Sequence, residues 1–364
     1  MSHPDQQSAS LEADFSKITM LPGQSVWDYL TMCRARHPEL YRRLNLSRVT
    51  PDKVARLYSE IARLATHFES KLEKGRGDTY RRAQNVSYLN RAAGFLRLFD
   101  LAVPPGPMAG DQLTVLDSLG GNGTMTRIVR ASRPPHEVPF IVTSDVSPRM
   151  IENALAQDIP AIRLPLQDLI WFDDCTFDAV IVAYGTHHIP VKERSKAIAE
   201  AHRVLKPGGR IVLQDFEIGC PTTLWYEDVL DQYTVTGHKF DYFTRQQFAE
   251  LLDENSFVEV EVRDIYDPVS MHAGDPKQAV RLLLEYVFTL FALDKLVPDD
   301  GVLSEQFWAE LEAVVRRTST FKPDQLPEGF RNITEFSVVK DGNGYRAEIP
   351  RVCLVATGRR KPVA

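Results

Sequence analysis

Short apolar runs alternate with helix-length segments through the middle of the chain, and this alternation constrains the fold more than any other feature. The runs cover residues 113–117, 139–144, 161–164, 178–183 and 210–215. Strands separated by helical crossovers form parallel sheets with right-handed connections. The sequence therefore predicts a doubly wound α/β domain. A further strand at 257–266 and a C-terminal hairpin turning at 341–344 are expected to complete a mostly parallel seven-stranded sheet with an antiparallel last strand, the hairpin adding an antiparallel edge.

A helical region precedes the α/β part of this 364-residue chain. Apolar residues recur at helical spacing over 54–72, a second helix is expected around 80–101, and a Pro- and Gly-rich stretch at 103–110 breaks the pattern. We predict a flexible N-terminus over 1–22, a helical cap or substrate domain over 23–108, and the α/β domain over 109–364.

An insertion at about 267–334 interrupts the α/β domain. It contains a helix that is apolar on every side, at 278–296, and such a helix must be buried. It is expected to cover the active site, to form a homodimer interface, or to pack in the core of one chain.

Composition narrows the function classes. The formal net charge is −6, so the chain lacks the basic excess typical of nucleic-acid binding. Its four cysteines form no CxxC pair, and the N-terminus has no apolar signal-peptide core. We expect a cytoplasmic protein without nucleic-acid or membrane partners that acts on a small molecule.

A glycine-rich turn follows the first strand of the α/β domain, over residues 115–123. Glycines there allow close approach of the backbone to a ligand, although tight strand-to-helix packing also uses them. Asp145 ends the next strand, where a carboxylate can accept hydrogen bonds from both hydroxyls of a ribose. Alternatively, Asp145 stabilises the start of the helix that follows Ser147.

Five segments in this order resemble the motifs of class I S-adenosylmethionine-dependent methyltransferases of the small-molecule type: 117–123, 144–151, 177–182, 186–190 and 201–213. The resemblance implies that S-adenosylmethionine is the cofactor. It places the cofactor at the strand ends: Asp117 at the methionine ammonium, Gly120, Gly121 and Gly123 beneath the cofactor, Asp145 at the ribose, Val146 and Met150 at the adenine, Ala183 and Tyr184 at the methionine moiety.

Two positions depart from the family pattern. Leu119 replaces the usual first glycine of the loop, which predicts a displaced loop or weaker cofactor binding. The acid that normally caps the adenine amino group is missing, and Gln167 or Asp168 is expected to substitute for it.

The acceptor side offers His187, His188, Tyr184 and Tyr242 as candidate catalytic residues. A histidine could remove a proton from the acceptor, with a rate that rises with pH; alternatively, alignment and water exclusion by an aromatic wall suffice, because no carboxylate is seen to orient either histidine. Asp215 and Glu217 are interpreted as solvated. No metal is expected, since no acidic or thiolate ligand lies at suitable spacing. The wall comprises Trp225, Tyr226, Phe240 and Tyr242.

Methyl transfer to a small metabolite, on an N, O, S or C atom, is the function that the resemblance implies. Two alternatives stay open at this point: the same fold catalysing a cyclisation or rearrangement, and a non-catalytic cofactor-binding scaffold.

Overall fold

The computed structural model describes residues 12–63, 76–106, 112–234 and 237–362. Its strands are β1 (Thr19–Leu21), β2 (Gln24–Ser25), β3 (Thr114–Ser118), β4 (Phe140–Asp145), β5 (Ala161–Arg163), β6 (Phe177–Val182), β7 (Leu205–Asp215), β8 (Phe257–Tyr266), β9 (Val269–Ala273), β10 (Ser337–Asp341), β11 (Gly344–Ile349) and β12 (Val352–Arg360). Its α-helices are α1 (Val26–Arg36), α2 (Pro38–Tyr41), α3 (Pro51–Arg63), α4 (Arg76–Val86), α5 (Ala92–Ala102), α6 (Thr124–Ser132), α7 (Pro148–Ala156), α8 (Val191–Val204), α9 (Pro221–Trp225), α10 (Asp231–Tyr233), α11 (Arg245–Asp253), α12 (Pro276–Phe291) and α13 (Glu305–Thr318).

A seven-stranded sheet in the order β5-β4-β3-β6-β7-β12-β8 forms the centre of the molecule. The pairs β3–β4, β3–β6, β4–β5 and β6–β7 are parallel, and β12 is antiparallel to both of its neighbours. The predicted α/β class, with an antiparallel last strand, is confirmed. The sequence did not predict the position of that strand: β12 lies inside the sheet, between β7 and β8, and β8 forms the edge.

The predicted helix starts within this domain are also confirmed. Ser147 caps α7 by accepting from the Met150 backbone N–H, with Pro148 in the first turn. Thr244 and Gln247 form a capping box at the start of α11. These local signals fix where the chain leaves each strand, and thus where the loops at the edge of the sheet begin.

The N-terminal region does not form a separate cap. Val115 and Leu116, neighbours in β3, belong to different apolar clusters because successive strand residues point to opposite faces. The cluster of Leu116 includes Tyr29 from α1, and that of Val115 includes Phe95 from α5. Residues before 107 therefore cover both faces of the sheet.

The N-terminus also differs from the expected flexible segment. Phe15 and Met20 are completely buried, and β1 pairs with β2, because this segment contributes apolar side chains to the core under α1. Residues 1–11 lie outside the described part, as do Leu64, Phe68 and Leu72 of the predicted first helix and residues 107–110 of the Pro- and Gly-rich stretch.

The hairpin was placed wrongly. It comprises β10 and β11, and it joins β9 in a separate three-stranded antiparallel sheet instead of extending the main one. The reason is β9, a strand within the insertion that the helical prediction for 267–334 did not contain. In α12, Leu283, Val287 and Leu290 are buried against the same chain, so the helix is part of the core. Among the described helices, none combines the length and apolar character that crossing a bilayer requires.

Candidate active site

A cavity of about 320 Å³ opens at the carboxyl ends of the central parallel strands. This is the edge at which open α/β sheets bind ligands, and the volume is within the range of small-molecule sites. One side is built from the loops after β3, β4 and β6. The other side is closed by α5, by the end of α12 and by the segment 238–240. The site is therefore assembled on the sheet and roofed by the regions that flank it.

The loop after β3 keeps the geometry of a glycine-rich turn despite Leu119. Leu119 itself adopts a left-handed backbone, φ 59°, as do Gly121 at 57° and Gly123 at 75°. A side chain at Gly120 would place its Cβ 2.4 Å from Asp117 Oδ2, so glycine is required there. Leu119 thus adopts the left-handed conformation that favours glycine, while a displaced loop or weaker cofactor binding stays a prediction.

Asp117 lies under this loop at the cavity wall, buried to 2% exposure. Its Oδ2 has no hydrogen-bond partner among the described residues. Burial, and then the nearby charge of Asp145, raise the pKa of its carboxyl group to about 8. A buried carboxyl with an unsatisfied oxygen fits a cationic group such as an ammonium.

Asp145 connects the two neighbouring loops. Its Oδ2 accepts from the Gly121 backbone N–H at 3.0 Å, and its Oδ1 accepts from the Ser147 backbone N–H at 2.9 Å. The same side chain thus supports the start of α7 and lines the cavity, and its contact with a ribose stays a prediction.

The adenine side of the site is only partly as predicted. Val146, Met150 and Gln167 line the cavity. Asp168 is not among the described residues that line it. Burial raises the pKa of its carboxyl group, and the charges of Lys196 and Glu200 also act on that pKa. Of the two expected substitutes for the missing acid, the structure brings only Gln167 to the site.

Ala183 and Tyr184 line the cavity after β6, as predicted. The Tyr184 backbone N–H donates to Gln214 Oε1 at 2.7 Å, and its φ of 59° is again left-handed. Its hydroxyl donates to Asp267 at 3.1 Å, and burial raises the pKa of the phenol well above its usual range. Tyr184 therefore stays protonated at neutral pH.

Arg91 is the main residue at the cavity that the sequence did not indicate. It is 5% exposed, its Nε has no hydrogen-bond partner among the described residues, and its guanidinium lies 4.0 Å from the centre of the Tyr184 ring. Asp267, a buried carboxylate that interacts electrostatically with Arg91, is also paired with Arg351. Two buried cations thus share one anion, and this wall of the cavity carries a positive charge suited to an anionic ligand group.

His187 is oriented by a buried carboxylate. Its Nδ1 lies 2.8 and 2.9 Å from the two carboxylate oxygens of Asp215, which also accepts from the backbone N–H groups of His187 and Phe216. Asp215 is completely buried, so its interpretation as solvated is wrong. The expectation that no carboxylate orients either histidine is wrong as well. An imidazole held in this way presents the lone pair of Nε2, which can take a proton or bind a metal.

His188 and His238 complete a cluster of three imidazoles that line the same wall. The ring centroid of His187 lies 4.3 Å from that of His188 and 5.2 Å from that of His238. His238 Nδ1 lies 2.8 Å from the Tyr242 hydroxyl. Tyr242 is not among the described residues that line the cavity, so we place it behind His238 rather than in contact with a ligand.

Some residues of the predicted aromatic wall line the cavity and others do not. Tyr226 and Phe240 line the cavity. Trp225 and Tyr242 are not among the described lining residues; Trp225 packs on Phe291 with ring centroids 4.9 Å apart. The wall is thus made of two residues from the expected set, together with Phe95 and Phe291 from the flanking helices.

Comparison with known proteins finds similar sequences. Residues 116–213 match the family described as "Methyltransferase domain". The "Ubiquinone/menaquinone biosynthesis C-methyltransferase UbiE" of Brucella anthropi is 30% identical over 189 residues, which cover 44% of this chain and 70% of that protein.

Solved structures also match this chain, at lower sequence identity. The YcgJ protein of Bacillus subtilis has a TM-score of 0.43 and 16% identity, covering 75% of this chain and 99% of that one. The phosphoethanolamine N-methyltransferase 2 of Haemonchus contortus has a TM-score of 0.42 and 16% identity, covering 74% of this chain and 52% of that one.

Proposed function

Since the chain belongs to the class I S-adenosylmethionine-dependent methyltransferases, we propose that it methylates a small molecule bound between the glycine-rich loop and the histidine cluster. The observation that carries this proposal is the continuity of the cavity. One continuous space reaches from Asp117 and Asp145 on the cofactor side to Arg91 and His238 on the opposite side. Donor and acceptor can therefore lie in contact, as an in-line displacement requires.

The residues on the cofactor side fit S-adenosylmethionine. Asp117 offers an unsatisfied carboxyl oxygen to the methionine ammonium, and the Asp145 carboxylate lines the part of the cavity where the ribose hydroxyls would lie. Gly120, which no side chain can replace, lets the backbone pass close to the ligand. When bound, the cofactor supplies a methyl group on a sulfonium, and the sulfur keeps the electron pair of the broken bond to give S-adenosylhomocysteine.

Water is excluded by the regions that flank the sheet. Phe95 from α5 and Phe291 from α12 face the cavity opposite the loops, and both are buried. A dry site favours attack by the acceptor and prevents loss of the methyl group to water. We therefore propose that the N-terminal helices and α12 cover the acceptor.

The proposal includes an anionic oxygen of one of the bound ligands near Arg91. Two buried cations at that wall, Arg91 and Arg351, share the single carboxylate of Asp267, so the wall keeps a net positive charge. A carboxylate of the ligands would satisfy it, either that of the methionine moiety or one on the acceptor. We thus propose a small acceptor, without nucleic acid or membrane as a partner; a cytoplasmic location and a homodimer stay predictions.

The test is acceptor-dependent formation of S-adenosylhomocysteine. The full chain is incubated with S-adenosylmethionine carrying a labelled methyl group and with fractionated metabolites, and mass spectrometry follows both products. We expect one fraction to yield S-adenosylhomocysteine together with an equal amount of a product heavier by one methyl group. The Asp145→Ala variant provides the background. Turnover that is independent of every fraction and equal in this variant would contradict the proposal.

A further inference from the structure

We propose that His187, His188 and His238 bind one divalent transition-metal ion at the wall of the cavity. Each residue offers one imidazole nitrogen, and the three nitrogens lie within 4.8 Å of one another. All three side chains line the space where the acceptor is expected. The sequence predicted no metal because no acidic or thiolate ligand lies at suitable spacing along the chain. The third imidazole of the cluster, that of His238, comes from a distant segment.

The spacing of the three nitrogens is that of a site before the metal enters. A metal bound at about 2.0–2.1 Å by tetrahedral nitrogens holds them roughly 3.4 Å apart. The widest pair must therefore approach by about 1.4 Å, which small rotations of the imidazole side chains provide. His187 and His188 lie on the single 3₁₀ turn Thr186–His188, so their backbones need not move independently.

The outer contacts are those that metal-binding histidines use. His187 Nδ1 bonds to the buried carboxylate of Asp215, which leaves Nε2 as the ligand atom. That Nε2 is buried and has no hydrogen-bond partner among the described residues, a state that buried polar atoms rarely adopt without a ligand. His238 Nδ1 bonds to the Tyr242 hydroxyl, which fixes the orientation of its ring in the same manner.

A general-base role for His187 explains less of this arrangement. A base needs one imidazole and one orienting carboxylate, and the pair of His187 and Asp215 already provides both. A general-base role gives no reason for two further imidazoles to converge on the same point, or for a tyrosine to orient one of them. A metal site uses all three histidines and both outer partners.

Three neutral imidazoles select the metal and leave it reactive. Nitrogen ligands suit Zn²⁺, Fe²⁺, Ni²⁺ or Cu²⁺, whereas Mg²⁺ and Ca²⁺ prefer oxygen. Three protein ligands leave at least one position open toward the cavity. If the proposed methyl transfer is correct, an oxygen or nitrogen atom of the acceptor occupies that position. A bound metal would lower the pKa of that acceptor atom, so that its proton would pass to bulk solvent as the acceptor enters and its lone pair would be available to the methyl carbon.

The test measures metal binding directly and does not depend on an acceptor. The full chain, prepared without a polyhistidine tag, is stripped with a chelator and titrated with Zn²⁺, and with Co²⁺ for its visible absorption. We expect one equivalent to bind, Mg²⁺ not to compete, and His238→Ala to weaken binding more than about 100-fold. Tyr242→Phe should weaken binding by about 10–100-fold, as loss of an outer partner does. His272→Ala, an exposed histidine outside the cavity, is the matched control and should bind as wild type does.

Binding of S-adenosylhomocysteine reports whether each variant is folded. Stoichiometric metal lost in His238→Ala but kept in His272→Ala, with S-adenosylhomocysteine affinity intact, supports the site. Equal metal affinity in both variants, or no stoichiometric metal in folded wild type, overturns it. A metal-binding protein that methylates nothing would instead contradict the proposed function and leave the metal site standing.

Discussion

The two sides of the cavity are encoded in different ways. The cofactor side is formed by residues 117–184, in which each strand leads directly into the loop that bears its ligand-facing residue. The acceptor side is formed by Arg91, His187, His238 and Phe291, which come from four separate segments. The first side depends on neighbours in the chain and can be read from local motifs. The second depends on tertiary convergence, and its residues carry meaning only once they are brought together.

The largest effect is expected on the cofactor side, from Asp145→Ala. Loss of two hydrogen bonds from the ribose to a charged acceptor should weaken S-adenosylhomocysteine binding by about 2–4 kcal/mol, roughly 30- to 700-fold. Calorimetry measures the affinity. Asp168→Ala is the matched control, an acid near the same side that does not line the cavity, and it should bind normally. If Asp168→Ala is the more damaging variant, the division drawn at this side of the cavity is wrong.

Arg91 tests whether the acceptor side also serves the cofactor. Arg91→Met removes a charge-assisted bond to a carboxylate, which should cost about 1.5–3 kcal/mol, roughly 10- to 150-fold in affinity. If that carboxylate is on the methionine moiety, S-adenosylhomocysteine binding weakens while methylthioadenosine, which lacks the carboxylate, binds as before. If it is on the acceptor, only the KM of the acceptor rises.

Arg97→Met is the control for Arg91. Arg97 lies on α5, the helix that begins directly after Arg91, but it donates to the Tyr266 backbone carbonyl and is not among the described residues that line the cavity. Unchanged cofactor affinity and unchanged KM in Arg91→Met would show that the buried charge has no ligand partner.

The sequence predicts most of the sheet and the cofactor side for a physical reason. Strand ends, caps such as Ser147, and the loop at Gly120 are determined by residues within one turn of each other. Asp215 was misjudged because a polar residue after a strand is usually solvated, and only the position of the 3₁₀ turn shows that it is buried under His187. The order of β12 and β8 could not be read either, since it depends on pairing between distant strands.

Asp117 gives the cofactor side a pH dependence that local motifs do not reveal. The pKa of its carboxyl group is raised to about 8 in the free protein, so the group is mostly neutral at pH 6. An ammonium favours the ionised form, so cofactor binding releases a proton and the affinity increases with pH. We expect up to a tenfold gain per pH unit between pH 6 and 7.5. Calorimetry in two buffers of different ionisation enthalpy counts the released proton.

Asp117→Asn should remove both this slope and the proton release while still filling the space under the loop. A slope that persists in Asp117→Asn would assign the titration to another group. A flat profile in the wild type would show that Asp117 does not face the ammonium.

The smallest effect concerns Leu119, where the cofactor side departs from its own family pattern. Its left-handed backbone costs a non-glycine residue about 1–2 kcal/mol, while its half-buried side chain packs near Gly185. Leu119→Gly and Leu119→Ala lose the same packing, but only glycine removes the strain. Denaturant unfolding should therefore find the glycine variant more stable than the alanine variant by about 1 kcal/mol. At Val146, a half-buried loop residue without positive φ, the order should reverse, because glycine there only adds freedom to the unfolded chain. If alanine is the more stable variant at both positions, the loop does not hold the left-handed turn, and local sequence would determine less of the cofactor side than we infer.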